Sequence, residues 1–154
     1  MRINNWDLFY FTLFAERLTQ LEQDVTALAI ADPQGYVGHP KAKLLRAVVE
    51  SITTDVPANP DHEKFRLGKM LDAYSNWRRV KRGLPPRYRL FFKFTSAQHK
   101  VVYAWLNDDS TLRKDSDKND VYEVFKRLLR RGDVPDSIEE LLRRARPAEL
   151  SKGA

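Results

Sequence analysis

The sequence predicts an α+β domain in which two helices pack on a small antiparallel sheet and C-terminal helices close the structure. Residues 12–31 and 40–52 each repeat apolar side chains at spacings of three and four, which is typical of amphipathic helices. Residues 77–106 alternate apolar and charged side chains, which is typical of strands with one buried face. A chain of 154 residues with this order of elements indicates a single domain.

The N-terminal third predicts one strand followed by a helix hairpin. Residues 3–10, INNWDLFY, are short and aromatic, which favours a strand. The first helix begins at Thr12 and ends before Pro33, and the second follows Pro40 and stops by Pro57. We expect this hairpin to cover one face of the sheet.

The middle of the chain predicts a three-stranded meander over residues 77–82, 87–95 and 100–106, with Pro85 and Pro86 in its first loop. Alternation on the second strand sorts its side chains onto two faces. One face carries Tyr88, Leu90, Phe92 and Phe94, and the other carries Arg87, Arg89, Phe91 and Lys93. We therefore expect the first face to be core and the second to be open and cationic.

The C-terminal part predicts two more helices. An apolar stripe from Val121 ends at Gly132, a typical C-terminal cap. Ser137 is placed to cap a short last helix, with Glu140 as its capping-box partner. These elements complete one domain over residues 1–147, and we expect residues 148–154 to be a flexible tail.

The positive charge is concentrated in one segment. The chain has a net charge of +6, whereas residues 66–93 contain nine lysines and arginines against one acid, so this segment carries +8 and the remainder −2. Such a patch attracts polyanions. There is no cysteine, no apolar run of 18 residues and no signal-peptide pattern at the N-terminus. We therefore expect a soluble, cytoplasmic protein that does not bind membranes.

The side chains available for catalysis are arginine, lysine and tyrosine. The three histidines, His39, His62 and His99, lack metal-ligand spacing, and the glycines form no phosphate-binding loop, so we predict neither a metal nor another cofactor. This set of side chains suits an RNA substrate, because the 2′-OH of RNA can attack the adjacent phosphate. The protein then supplies cations for the developing charge, an acceptor for the 2′-OH proton and a donor to the leaving 5′-oxygen.

Motifs in a fixed order resemble a known family. The segments FRLGKML, NWRRVK, RYRLFFKF, VVYAWLNDDSTLRK and VYEVFKRLLRRG, within residues 59–135, resemble the RelE/ParE superfamily of bacterial toxins, and its YhaV branch in particular. The resemblance implies an N-terminal strand, a helix hairpin, an antiparallel meander and a closing helix. It also implies a metal-independent endoribonuclease that cleaves mRNA on the ribosome and inhibits translation. Its partner would be a cognate antitoxin, a PrlF-like protein with a swapped-hairpin DNA-binding domain.

The resemblance also implies site residues. The catalytic positions of the family fall on Arg79, Lys81, Arg89, Arg113 and Tyr122. Arg79 stands where a lysine is found in RelE, and because arginine is too basic to serve readily as a base, Lys81 becomes the expected proton acceptor. Tyr122 is expected to stack on a base or take part in proton transfer. The neighbouring cations expected to bind RNA are Arg78, Arg82, Arg87 and Lys93.

Two alternatives remain open at this point. ParE-like relatives share the scaffold but inhibit DNA gyrase by binding, without cutting RNA. A non-catalytic module that binds RNA or the ribosome through the same cationic patch is the other alternative.

Overall fold

A computed structural model of the chain describes residues 1–71 and 73–150, which form one six-stranded sheet with helices on both faces. The strands are β1 (Arg2–Ile3), β2 (Trp6–Phe11), β3 (Arg78–Val80), β4 (Leu90–Thr95), β5 (Lys100–Leu106) and β6 (Ala145–Pro147). The helices are α1 (Thr12–Ala31), α2 (Pro40–Glu50), α3 (Val56–Ala58), α4 (Val121–Arg131) and α5 (Ile138–Arg143). None of the helices in these described ranges is long and apolar enough to cross a membrane.

The sheet has the strand order β1-β2-β5-β4-β3, and β6 pairs with the second half of β2. The meander β3-β4-β5 is antiparallel, as expected. The pair of β2 and β5 is parallel, with Tyr10 opposite Tyr103, a pairing that the sequence did not indicate. The α1–α2 hairpin lies between these two strands in the sequence. It carries the chain back toward the end of the sheet at which β2 begins, as a parallel pairing requires.

The hairpin of α1 and α2 covers one face of the sheet, as predicted. Phe14 of α1 packs against Tyr10 and Tyr103, with ring centroids 5.1 and 6.0 Å away. The Tyr103 hydroxyl donates to the carbonyl of Ile52 at 2.9 Å. That carbonyl belongs to a π-helical turn, Ser51–Asp55, which continues α2 into α3.

The opposite face of the sheet is also covered, so the prediction of an open, cationic face is wrong. Phe91 of β4 is fully buried, and Phe125 of α4 stacks on it with ring centroids 4.1 Å apart. Trp105 of β5 lies 5.7 Å from the same Phe125 ring. The physical reason is that the apolar stripe of α4 must be buried, and Phe91, which falls on the supposedly open face, provides the apolar surface for it.

The ends of the elements agree with the sequence in some places and differ in others. Strand β5 has the predicted bounds, Gly132 ends α4 in a left-handed conformation with φ of 79°, and Ser137 caps α5 by accepting from the Glu140 amide. The first two strands of the meander are shorter than predicted, since they comprise only Arg78–Val80 and Leu90–Thr95. In the expected tail, Ala148 donates its amide to the Leu8 carbonyl at 2.8 Å, and residues 151–154 lie outside the described residues.

Replacing Phe125 by alanine tests the second core. We expect Phe125→Ala to lower the free energy of unfolding by about 3–5 kcal/mol, because it removes a ring stacked on Phe91 and Trp105. Urea unfolding followed by circular dichroism measures the change. The control is Ile30→Ala, at a side chain that is 77% exposed, which should change stability by less than about 0.5 kcal/mol. Equal effects of the two variants would contradict the buried position of Phe125.

Tyr10 gives the fold a predictable sensitivity to alkaline pH. Burial, with a smaller contribution from the Glu22 carboxylate, raises the pKa of Tyr10 to about 12. An unfolded tyrosine ionises near pH 10, so the unfolded state loses this proton first, and stability falls as pH rises from about 10 to about 12. Tyr10→Phe should reduce that fall by about 2 kcal/mol in urea titrations at several pH values. An unchanged fall would show that Tyr10 does not contribute to it.

Candidate active site

Several chain segments that carry candidate residues meet at one end of the sheet. The pairing of Val80 with Leu90 and of Leu90 with Leu106 places the end of β3, the start of β4 and the end of β5 side by side. The loop after β5 leads to Arg113, and the N-terminus of α4 brings in Tyr122. The antiparallel meander therefore gathers side chains that are far apart in the sequence.

Arg89, Arg113 and Tyr122 form a compact group, called here the arginine–tyrosine cluster. Arg89 is 7% exposed, and its Nε donates to the Tyr122 hydroxyl at 3.0 Å. The guanidinium carbons of Arg89 and Arg113 lie 5.9 and 5.2 Å from the centroid of the Tyr122 ring. Two permanent cations thus share one phenol in a partly desolvated environment, where charge is weakly screened.

Asp120 fixes the position of Arg113 and begins α4. Its Oδ1 accepts from Arg113 Nη1 at 2.8 Å and from the Lys114 amide at 2.6 Å. Its Oδ2 accepts from the Tyr122 amide at 3.0 Å, which is the N-cap bond of α4. The hydrogen bond to Asp120 raises the pKa of Arg113, so this arginine keeps its charge. A second carboxylate, that of Asp115, also contacts Arg113.

Asn107 organises the start of β4, and sequence reasoning missed it. Its side chain is fully buried, and Oδ1 accepts from the Arg89 amide at 2.8 Å. Its Nδ2 donates to the carbonyls of Arg87 at 3.1 Å and Thr111 at 2.9 Å. The available signal was its position as the first polar residue after a strand, but that position alone does not distinguish a buried amide from a turn residue.

The other predicted residues of this part of the chain lie on β3 and in the connection that follows it. Arg79 pairs with Phe91 and therefore shares its face of the sheet, and its Nη1 donates to the Arg66 carbonyl. Lys81 is exposed and comes directly after β3, whose last pair joins Val80 to Leu90. The exposed side chains of Arg82 and Arg87 lie in the same β3–β4 connection.

Two of the cations predicted to bind RNA lie elsewhere. Arg78 pairs with Phe92 and stacks 5.4 Å above the Phe94 ring, so it is on the hairpin face, away from the cluster. Lys93 is buried, with its Nζ bonded to the backbone and carboxylate of Asp136. Burial lowers the pKa of Lys93, and Asp136 offsets part of that shift. Arg78 is kept from the cluster by the face on which it lies, and Lys93 by its ion pair with Asp136.

The stacking role expected for Tyr122 is also not available. Tyr122 is 3% exposed, with Arg113 lying over its ring and the ring of Phe91 meeting it edge to face. An RNA base has no access to this ring. The hydroxyl, in contrast, accepts from Arg89 and keeps its own O–H proton as a donor.

The arginine–tyrosine cluster places two guanidinium groups around one phenol. The partners that the structure gives to the Arg89 guanidinium are a phenol and the Tyr88 carbonyl, both neutral, so its charge is not cancelled locally. Guanidinium groups held in this way bind phosphate oxygens and stabilise charge that develops on them. Among residues 1–71 and 73–150, no group of three His, Cys, Asp or Glu side chains is arranged to hold a metal ion.

Comparisons with known proteins agree with this chemistry. A family described as a toxin with endonuclease activity, of a toxin–antitoxin system, matches residues 8–146. The ribonuclease toxin YhaV of Escherichia coli K12 is 38% identical over 144 residues, which cover 92% of this chain and 93% of that protein. The toxin YhaV of Escherichia coli O6:H1 is 38% identical over 142 residues, or 91% and 92% of the two chains. No solved structure matches the chain.

Substitution of Asp120 tests how the cluster is held. We expect Asp120→Ala to lower the free energy of unfolding by about 2–4 kcal/mol, because it removes the cap of α4 and the buried partner of Arg113. Asp120→Asn keeps a capping oxygen and should cost about half as much. Urea unfolding of each variant gives the comparison.

The matched control removes the other carboxylate on Arg113. Asp115 has a side chain that is 87% exposed, and Asp115→Asn should change stability by less than about 0.5 kcal/mol. If Asp115→Asn and Asp120→Ala were equally destabilising, the assignment of Asp120 as the anchor of Arg113 would be wrong.

Proposed function

This chain belongs to the YhaV family of toxins, and we propose that it cleaves messenger RNA on the ribosome. The family is described as a toxin with endonuclease activity, of a toxin–antitoxin system. Cleavage of translated messages inhibits protein synthesis and growth. The activity needs no metal and no other cofactor in this proposal, because the nucleophile belongs to the substrate.

The observation that carries the proposal is the bond from Arg89 Nε to the Tyr122 hydroxyl, with Arg113 above the same ring. It holds two cations at the end of the sheet where Lys81 and Arg87 are exposed. A strand of RNA has both the phosphate that such cations bind and the 2′-OH that DNA lacks. This support favours RNA as the substrate over DNA.

In the proposed mechanism the 2′-oxygen attacks the adjacent phosphorus and the bond to the 5′-oxygen breaks. The amine of Lys81 takes the 2′-OH proton, since arginine is too basic to do so. Arg79, Arg89 and Arg113 stabilise the charge on the phosphate oxygens. Tyr122 orients the two arginines of the cluster, and its own proton can pass to the leaving 5′-oxygen.

The exposed arginines of the β3–β4 connection complete the substrate contacts in this proposal. Arg82 and Arg87 neutralise phosphates on either side of the cleaved bond, which makes binding dependent on salt. Arg78 and Lys93 are left out of this role, because of the face on which Arg78 lies and the ion pair of Lys93 with Asp136.

A toxin of such a system has an antitoxin as its partner, and we infer that the partner here is PrlF-like, with a swapped-hairpin DNA-binding domain. The antitoxin neutralises the toxin by covering the cationic end of the sheet or by blocking access to the ribosome. Both proteins act in the cytoplasm, where the substrate is translated.

The test uses a purified translation system with one defined mRNA. Primer extension maps new 5′ ends after the protein is added, with and without ribosomes, and with a chelator present. We expect new ends that require ribosomes and survive the chelator. The amount of these new ends should fall at least about 100-fold in the double variant Arg79→Ala/Lys81→Ala, because it lacks the base and one stabilising cation.

The control variant is Arg78→Ala, which removes a neighbouring cation on the opposite face and should keep cleavage near the wild-type level. Intact mRNA, under conditions in which the protein still stops growth, would contradict the proposed substrate. Damaged DNA with intact mRNA would instead indicate gyrase inhibition, and salt-sensitive RNA binding without cleavage would indicate a binding module.

A further inference from the structure

We propose that Asn107 is a positioning residue of the endonuclease site, which sets the backbone that carries Arg87, Arg89 and Arg113. This inference rests on the proposed function of those arginines. Asn107 itself is fully buried and therefore touches no substrate. Its hydrogen bonds hold the β3–β4 connection, the loop after β5 and helix α1 in one arrangement.

The first support is the number of groups that Asn107 joins. Its side-chain oxygen accepts from the Arg89 amide, and its side-chain nitrogen donates to the carbonyls of Arg87 and Thr111. One amide group thus links the start of β4 to the loop after β5. A buried amide with all of these bonds made fixes geometry strongly, since every alternative position leaves a polar group unpaired.

The second support is the backbone of Arg87, which is left-handed with φ of 72°. This conformation is costly for a residue with a side chain, and it persists only where the surroundings hold it. The Arg87 carbonyl accepts two bonds, one from Asn107 Nδ2 at 3.1 Å and one from the Arg113 amide at 2.9 Å. Asn107 therefore stabilises a turn that also tethers the backbone of Arg113.

The third support is a contact from outside the meander. Arg17 of α1 donates to the Asn107 carbonyl from Nη2 at 3.2 Å and from Nε at 3.4 Å. The main chain of Asn107 is thus tied to the helix hairpin while its side chain is tied to the cluster. This arrangement places the arginines relative to the rigid body of the domain, which is what positioning requires.

The experiment measures cleavage kinetics and arginine protection in the full-length protein. We expect Asn107→Ala to lower kcat about 10- to 100-fold with KM changed less than about 3-fold, because the phosphate-binding groups are displaced and exposed binding cations remain. The exchange of the Arg89 Nε–H with water, followed by NMR, should become faster in the variant. That second readout does not require activity.

The matched control is Tyr103→Phe, which removes a buried hydrogen bond to Ile52 on the other face of the sheet. All measurements are made at a temperature at which circular dichroism shows each protein to be folded. Tyr103→Phe should lower the urea midpoint and leave both kcat and the Arg89 Nε–H exchange unchanged. A folded Asn107→Ala with wild-type kcat and wild-type exchange would overturn the proposal.

Asn107→Asp covers the case in which the alanine variant does not fold. It keeps the oxygen that accepts from Arg89 but places a carboxylate against the carbonyls of Arg87 and Thr111, where only the protonated acid can donate. The ratio of variant to wild-type kcat should therefore rise as pH falls, and a flat ratio at the wild-type value would overturn the proposal. If wild-type protein fails to cleave RNA, the proposed function fails, and the Arg89 exchange still decides the role of Asn107.

Discussion

The stacking of Phe125 on Phe91 and Trp105 is the contact on which the rest of the structure depends. It fastens α4 to the sheet and buries the face on which Phe91 lies. Alternation along β4 puts Arg89 and Lys93 on that same face, two positions to either side of Phe91. Closing the core therefore takes two cations out of water, and each of them must find partners inside the protein.

The two buried cations are partnered in different ways. Lys93 meets the carboxylate of Asp136, so its charge is cancelled within the fold. Arg89 donates to the Tyr122 hydroxyl and to a backbone carbonyl, which are neutral and leave its charge. A buried charge without a counter-ion costs stability, and such sites are typical of groups that bind or act on a charged substrate.

Much of the fold could be predicted from the sequence, because periodicity and caps are local signals. The bounds of β5, the cap at Gly132 and the position of α1 all follow from patterns within a few residues. The parallel pairing of β2 with β5 and the burial of Lys93 could not be predicted, since both depend on how distant segments pack. Asn107 could not be predicted for the same reason, because its importance lies in partners that come from three separate segments.

The order of segments along the chain has a consequence for the time at which the toxin becomes active. Arg89, directly before β4, is synthesised before α4, and β6, which pairs with β2, is synthesised later still. A nascent chain that has produced only the meander has Phe91 uncovered and Arg89 without its tyrosine. The arginine–tyrosine cluster and the core beneath it are complete only after residues 121–147 have left the ribosome and packed, since long-range contacts form last. Under the proposed function, synthesis of the toxin and onset of its activity are thereby separated in time.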